Sequence, residues 1–153
     1  METSAIFKKR FKELRKDLIS ELMCNGSDIP KILNIEYDVY TKIVEYGKIP
    51  KPIILIRIAD YFNVSIMYLL GKTKDPFIEK SENPKTFHVR YEELKAEYGI
   101  TDYAIAQKLH ISTSYTTRWK KYKYIPSLTN LNYLCEIFQV SLDYLLGRTD
   151  YKD

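Results

Sequence analysis

The chain has very little of what catalytic and metal sites are usually built from. Its 153 residues include two cysteines, two histidines and five glycines. Neither His88 nor His110 lies beside a plausible nucleophile, and the sequence has neither a glycine-rich phosphate loop nor a spacing typical of metal ligands. These shortages argue against an enzyme, a bound metal and a cofactor.

Long apolar runs and disulfide patterns are also lacking. No stretch approaches the roughly 20 apolar residues that cross a membrane. The basic N-terminus, METSAIFKKRFKEL, is not followed by the apolar core of a secretory signal. Cys24 and Cys135 are expected to be buried apolar residues and not a disulfide or metal pair. A cytoplasmic protein is expected.

An excess of one charge is missing as well. The net charge is only +4, so bulk charge does not by itself indicate a nucleic-acid partner. With 45% hydrophobic and 29% charged residues, the composition is that of a soluble globular protein. The distribution of charge along the chain is therefore more informative than its sum.

What the sequence does contain is a repeat. IADYFNVSIMYLLG at residues 58–71 recurs as LCEIFQVSLDYLLG at residues 134–147, at an offset of 76 and with 7 of 14 positions identical. Such a repeat indicates two copies of one structural unit. The sequence predicts one domain at residues 1–73 and another at 87–150, joined by a polar linker at 74–86 that contains two prolines.

Apolar spacing predicts five short helices in the second repeat. The first has an apolar stripe of Phe87, Tyr91, Leu94 and Tyr98. Thr101, Ser112 and Ser141 are N-cap candidates for later helices, and Pro126 prevents the third helix from continuing. Thr116 and Trp119 are expected to face inward from that third helix. The residues expected on its outer face are Thr113, Ser114, Thr117, Arg118 and Lys121.

The first repeat predicts the same helix order with different surface chemistry. Its first helix carries the basic residues Lys8, Lys9, Arg10, Lys12, Arg15 and Lys16. Its third helix, EYDVYTKIVEYG, has negative charge, which suits a phosphate-lined groove poorly. Its fourth helix has Ile53, Ile54 and Ile56 where the second repeat has polar residues. These isoleucines are expected to form an interface or to enlarge the core of the first repeat, and the sequence leaves both open.

The segment GITDYAIAQKLHISTSYTTRW, followed by YIPSLTNLNYLCEIFQVSLDYLLG, resembles the Cro/C1-type helix-turn-helix family, which includes the phage repressors. The spacing of its turn glycine, cap, alanine, tryptophan, proline and closing YLLG agrees together. The resemblance covers nearly all of residues 87–149, whereas residues 7–73 match well only after Pro50. It implies an all-α protein with two tandem five-helix lambda-repressor-like domains.

The resemblance also implies which residues contact DNA. Base contacts are expected from Thr113, Ser114, Thr117 and Arg118. Phosphate contacts are expected from Thr101, Lys120, Lys121 and Lys123. The sequence departs from the family pattern in two ways. Lys95 and Lys120 stand where the family often has an arginine–glutamate pair, so that ion pair is expected to be absent. Asp102 stands where a phosphate-facing glutamine is common, and its charge would oppose binding.

These features favour a sequence-specific DNA-binding transcriptional regulator that acts as a homodimer on double-stranded DNA with a palindromic site. The alternative is a protein-interaction module, such as an antitoxin or a phage-encoded inhibitor, that has kept the helix-turn-helix scaffold. In that case the first repeat would contact a protein partner.

Overall fold

The computed structural model describes residues 2–121 and 124–153. Within those ranges the regular elements are ten α-helices and a 3-10 turn at Gly26–Asp28, with only two isolated β-bridges. The helices are α1 (Ala5–Leu22), α2 (Ile29–Leu33), α3 (Tyr37–Tyr46), α4 (Pro52–Phe62), α5 (Ile66–Leu69), α6 (Phe87–Tyr98), α7 (Asp102–Leu109), α8 (Thr113–Lys121), α9 (Leu128–Phe138) and α10 (Leu142–Leu145). The all-α prediction is confirmed.

The chain divides into two compact units, with the boundary between Ile78 and Glu79. Unit 1 contains α1 to α5, and unit 2 contains α6 to α10. Hydroxyl side chains at the N-caps accept a backbone amide hydrogen bond and so begin most of the helices. These caps are Ser4, Ser65, Thr86, Thr101, Ser127 and Ser141. The caps predicted at Thr101 and Ser141 are therefore present.

The segment expected to be a polar linker differs from that expectation. Its second half packs on unit 2, where the Ser81 amide donates to the Arg148 carbonyl at 3.1 Å and the Lys85 amide donates to the Gly147 carbonyl at 3.1 Å. Gly147 has a φ of +76°, and a Cβ there would lie 1.8 Å from the Lys85 carbonyl oxygen. The glycine that closes the repeated YLLG is thus required for this close approach.

The core of unit 1 forms around the apolar stripe of α1. Phe7, Phe11 and Leu18 are buried, and Phe11 meets the ring of Tyr40 edge-on at 6.2 Å. Leu22, the last residue of α1, is 51% exposed because α1 extends past the core. Burying each large side chain contributes about 1.5–3 kcal/mol, so this stripe is enough to dock α1.

The core of unit 2 is more aromatic. Phe87 and Tyr91 stack at 5.5 Å on α6, and Trp119 of α8 meets both rings edge-on. Phe138 of α9 is fully buried and meets Tyr91 at 6.4 Å. Tyr98, expected on the buried stripe, is 42% exposed but stacks on Phe138 at 5.7 Å. Cys24 and Cys135, expected to be buried, are each half-buried, and they do not form a disulfide.

Both units contain the same arginine–tyrosine contact between the first and last helices. In unit 1, the Arg10 guanidinium lies 4.1 Å from the centre of the Tyr68 ring and donates to the Thr73 carbonyl at 2.8 Å. In unit 2, Arg90 lies 3.8 Å from the Tyr144 ring and donates to the Thr149 carbonyl at 3.1 Å. Arg10 thus corresponds to Arg90, Tyr68 to Tyr144, and Thr73 to Thr149.

The tyrosine and threonine partners recur at an offset of 76, but the arginines recur at 80. Phe7 and Phe87 show the same offset of 80. Unit 1 therefore has four more residues than unit 2 between this arginine and the last helix, and relative to the arginine α1 ends about one turn later than α6. The offset of 76 that relates residues 58–71 to 134–147 does not extend to the first helix.

Candidate nucleic-acid interface

Two helices of unit 2 and the turn between them form the candidate interface. The Thr101 hydroxyl accepts from the Ala104 amide at 3.2 Å and begins α7. His110 ends α7 in the left-handed conformation, with a φ of 55°. The Ser112 hydroxyl then accepts from the Ser114 amide at 3.2 Å and begins α8, as its sequence position predicted. The turn between α7 and α8 is therefore only three residues long.

α8 is fixed to the core by one face. Thr116 and Trp119 are buried, as predicted, with exposures of 1% and 3%. The Trp119 ring lies 6.2 Å from the Phe87 ring and 5.8 Å from the Tyr91 ring, edge-on to both. Because three aromatic rings hold this helix, its rotation about its own axis is set by packing.

The opposite face of α8 is polar and accessible. All five residues that were predicted to face outward are exposed. These are Thr113, Ser114, Thr117, Arg118 and Lys121. The helix sequence TSYTTRWKK contains three cations and no acidic residue. Such a face can approach an anionic groove, and its contact with bases stays a prediction.

Two of the three hydroxyl groups on this face already donate hydrogen bonds to nearby residues of the chain. Thr117 donates to the Thr113 carbonyl at 3.1 Å, and Ser114 donates to the Ser112 hydroxyl at 3.1 Å. Their outward oxygens therefore remain acceptors, which suits the amino groups of adenine and cytosine. A hydroxyl can also rotate to donate at the cost of one weak internal bond.

Arg118 is oriented by a neighbour that sequence reasoning missed. Its guanidinium lies 5.5 Å from the centre of the Tyr115 ring, one helical turn earlier. The tyrosine is 45% exposed, so the contact lies on the surface and leaves the guanidinium N–H groups accessible. An aromatic residue three positions before an arginine on a helix is the signal that could have indicated it.

Lys95 and Lys120, which replace the family's arginine–glutamate pair, do not pair with each other but each form an ion pair with Asp102. The Lys95 Nζ lies 2.6 Å from Oδ1 of Asp102, and the Lys120 Nζ lies 3.3 Å from its Oδ2. Tyr91 also donates its hydroxyl to Oδ1 at 2.9 Å. One carboxylate at the start of α7 therefore joins two lysines, from α6 and α8. The two lysines are compatible because this carboxylate lies between them.

This network shifts the pKa values of the residues that form it. Burial raises the pKa of Asp102, but hydrogen bonds from Lys95, Tyr91 and Lys120 outweigh it and hold that pKa below its ordinary value. The hydrogen bond to Asp102 raises the pKa of Lys120. Burial, with the hydrogen bond to Asp102, raises the pKa of Tyr91. The Asp102 charge is thus compensated within unit 2, so it opposes a phosphate less than the sequence alone suggested.

The predicted phosphate-contacting residues have different environments. Thr101 is exposed at the N-terminus of α7, where the helix dipole favours an anion. Lys120 is committed to Asp102, with Glu92 3.9 Å away, and is 49% exposed on its side chain. Lys121 is exposed at the end of α8. Lys123 lies outside the described residues.

The corresponding helix of unit 1 is different in charge. On α3, Tyr37 is 64% exposed, and Lys42 forms an ion pair with Asp38 at 3.0 Å. With Glu36 before the helix and Glu45 near its end, this surface is acidic overall. It lacks the uncompensated cations that a phosphate-lined groove attracts.

The three isoleucines of α4 divide between the two roles that the sequence left open. Ile53 is 44% exposed, whereas Ile54 and Ile56 are half-buried. Ile53 and Ile54 line a groove of about 570 Å³ together with Ile49 and Pro50. Ile54 and Ile56 therefore contribute in part to the core, and Ile53 contributes to an accessible apolar surface.

Metal-binding and membrane-spanning features are absent from the described residues. In the described ranges, no group of three or more histidine, cysteine, aspartate or glutamate residues could hold a metal ion. None of the helices described is both long enough and apolar enough to span a bilayer.

Comparison with known proteins identifies one segment. Residues 91–145 match a helix-turn-helix family model of the Cro/C1 type. This family consists of DNA-binding regulators. The matched stretch is somewhat more than a third of the chain, lies wholly in unit 2 and includes both α7 and α8. Searches of curated proteins and of solved structures returned no significant match.

Proposed function

We propose that the protein is a sequence-specific transcriptional regulator of the phage-repressor type that binds double-stranded DNA. α8 of unit 2 enters the major groove, which is about 12 Å wide and accepts one helix. Thr113, Ser114, Thr117 and Arg118 contact base edges. Thr101 and Lys121 contact phosphates, and Lys120 does so while still bound to Asp102. Lys123 is included with the phosphate-contacting residues from its sequence position alone.

One observation supports this proposal above the others. Within a segment that matches a family of DNA-binding regulators, α8 has an exposed face of hydroxyl and cationic side chains. The rings of Phe87, Tyr91 and Trp119 fix that face outward. A preorganised helix loses little conformational freedom on binding, which favours specificity at a small interface.

Two finer features belong to the same proposal. The two units are diverged copies of one lambda-repressor-like five-helix domain, as their shared arginine–tyrosine contact suggests. The protein acts as a homodimer, because two α8 helices on half-sites about 34 Å apart would double a contact that one short helix makes weakly.

Selection of bound duplexes from a random pool tests this function. We expect an enriched palindromic sequence, bound about 10³-fold or more tightly than random duplex at physiological salt. Equal affinity for enriched and random duplexes would reject sequence-specific binding. Enrichment of a single half-site would support base contact by α8 but contradict the homodimer.

A second function is favoured by the exposed groove of unit 1, which isoleucines line together with charged residues such as Lys48 and Arg57. Ile53 is an accessible isoleucine beside a groove large enough for one or two partner side chains. The protein would then be a protein-interaction module, as in antitoxins or phage-encoded inhibitors. Ile53→Lys should abolish capture of a host protein by nuclease-treated full-length chain, whereas Thr129→Lys at the matching position of unit 2 should not. Unchanged capture by Ile53→Lys would contradict this role.

A further inference from the structure

The outward face of α1 is the most uniformly cationic helix surface of unit 1. Five basic side chains occupy a sector about 120° wide that contains no carboxylate, and Glu13 lies just outside it. They are Lys8, Lys9, Lys12, Arg15 and Lys16, and their stems line one shallow depression on the helix. From Lys8 to Lys16 the helix rises about 12 Å.

Most of this charge is not compensated inside the protein. Within the part of the chain that the structure describes, Lys9, Lys12 and Lys16 are exposed and form no ion pair. Lys8 donates to the Glu45 carbonyl at 2.8 Å, which leaves its charge unneutralised. Arg15 donates to the Tyr40 hydroxyl and so is held in place at the side of the face.

The corresponding helix of unit 2 has the opposite character. The outer carboxylates of α6 are each paired: Glu92 with Lys95 at 3.0 Å, Glu93 with Lys85 at 2.8 Å, and Glu97 with Lys152. An acidic face with all its charges paired gains little from meeting lysines of another copy. A polyanion of high charge density is therefore the better complement to α1.

We propose that this cationic face of α1 is a second contact surface for the phosphate backbone of double-stranded DNA. Unit 1 thus adds affinity through its first helix, while its acidic α3 does not enter a groove. Each strand of a duplex carries about one negative charge per 3.4 Å of axis, so the 12 Å of the face spans about three or four phosphates of one strand. The proposal rests on the DNA binding proposed above.

The test measures the salt dependence of binding by the full-length chain to the selected duplex and to a random duplex. The variant is Lys9→Gln, Lys12→Gln and Lys16→Gln combined, which keeps good helix formers in place. The matched control removes the same charge from exposed lysines elsewhere, by Lys31→Gln, Lys74→Gln and Lys80→Gln combined. A Lys9→Arg, Lys12→Arg and Lys16→Arg variant restores the charge.

We expect the glutamine variant to lower the slope of log affinity against log salt by about 0.9 for each lysine in contact, equally on both duplexes. The arginine variant should bind like the original chain. If the glutamine variant and the control variant show the same slope, the proposal is wrong although specific binding persists. If the unchanged chain shows no preference among duplexes, the proposed function itself fails.

A self-associating α1 face would give a different result. The glutamine variant would then dissociate in sedimentation without DNA and keep the salt slope of the original chain. That outcome would also overturn the proposal. Circular dichroism of each variant checks that the helices are intact.

Discussion

Units 1 and 2 share a contact between their first and last helices but carry opposite charges on corresponding helices. In each unit, an arginine of the first helix lies over the ring of a tyrosine of the last helix. In unit 1 the first helix is basic and the third is acidic, and in unit 2 the first is acidic and the third is basic. The scaffold therefore fixes where each helix lies, while the surface residues determine which helix is suited to face DNA.

The third helices of the two units differ in charge at one pair of matching residues. Arg118 corresponds to Lys42 at the offset of 76. Arg118 rests on an exposed tyrosine ring with its donors accessible, whereas Lys42 is paired with Asp38. A cation that is already paired attracts a base or phosphate less strongly, because its partner compensates part of its charge.

Replacing the residue that anchors each third helix should give the largest effects. Trp119→Ala should destabilise unit 2 by about 3–5 kcal/mol and abolish specific binding, because it removes the ring that packs on Phe87 and Tyr91. Ile43→Ala, at the matching buried position, should cost unit 1 about 2–5 kcal/mol yet keep the sequence preference. Denaturant unfolding and duplex binding measure both. Loss of preference in Ile43→Ala would show that the units do not act separately.

The next effect concerns base reading. Arg118→Ala should weaken binding to the selected duplex by about 1–3 kcal/mol and relax the preference at one base pair. Lys42→Ala should change the affinity by less than about 0.5 kcal/mol. Affinities on a set of single-base variants of the site measure both. Uniform weakening over all sequences would place Arg118 on a phosphate instead.

The Asp102 network has no counterpart in unit 1 and predicts a pH dependence. Because the pKa of folded Asp102 lies below its ordinary value of about 4, its contribution to stability is present above that value and is lost as the pH falls through the folded pKa. Asp102→Asn should therefore lower the free energy of unfolding by about 1–2 kcal/mol at pH 7. The difference from the original chain should shrink as the pH is lowered below about 4.

Urea unfolding of both proteins at neutral and acidic pH checks this. A deficit that is constant across the pH range would show that the carboxylate charge is not what stabilises the network. The same variant also releases Lys120, so its affinity for random duplex should rise slightly while its stability falls.

The smallest effect concerns the orientation of Arg118. Tyr115→Leu should lower affinity for the selected duplex by about 0.5–1 kcal/mol, the size of an exposed cation–π contact. Tyr115→Phe keeps the ring and should bind like the original chain. Equal losses in the two variants would point to a contact of the tyrosine hydroxyl with DNA.

Local patterns made much of this architecture predictable. The caps at Thr101 and Ser141 and the inward position of Trp119 depend on neighbouring residues, so the sequence indicates them directly. The outward position of the α8 residues follows from the same periodicity. Unit 1 was predicted less well, because its extra turn in α1 shifts the first helix relative to the repeated segment.

Features that depend on distant partners were not predictable. Asp102 meets Lys95 and Lys120, which are 7 and 18 residues away, and only the packing of three helices brings them together. Arg90 gives no sequence sign of its burial, since its partners are Tyr144 and Thr149 at the other end of the unit.

Backbone amide NMR shifts of the 18.1 kDa chain during titration with the selected duplex test the central claim most directly. The amides of Thr113, Ser114 and Thr117 on α8 should move strongly. Those of the matching residues on α3, Tyr37, Asp38 and Thr41, should stay in place. Large shifts on α3 with none on α8 would contradict the assignment of base reading to unit 2.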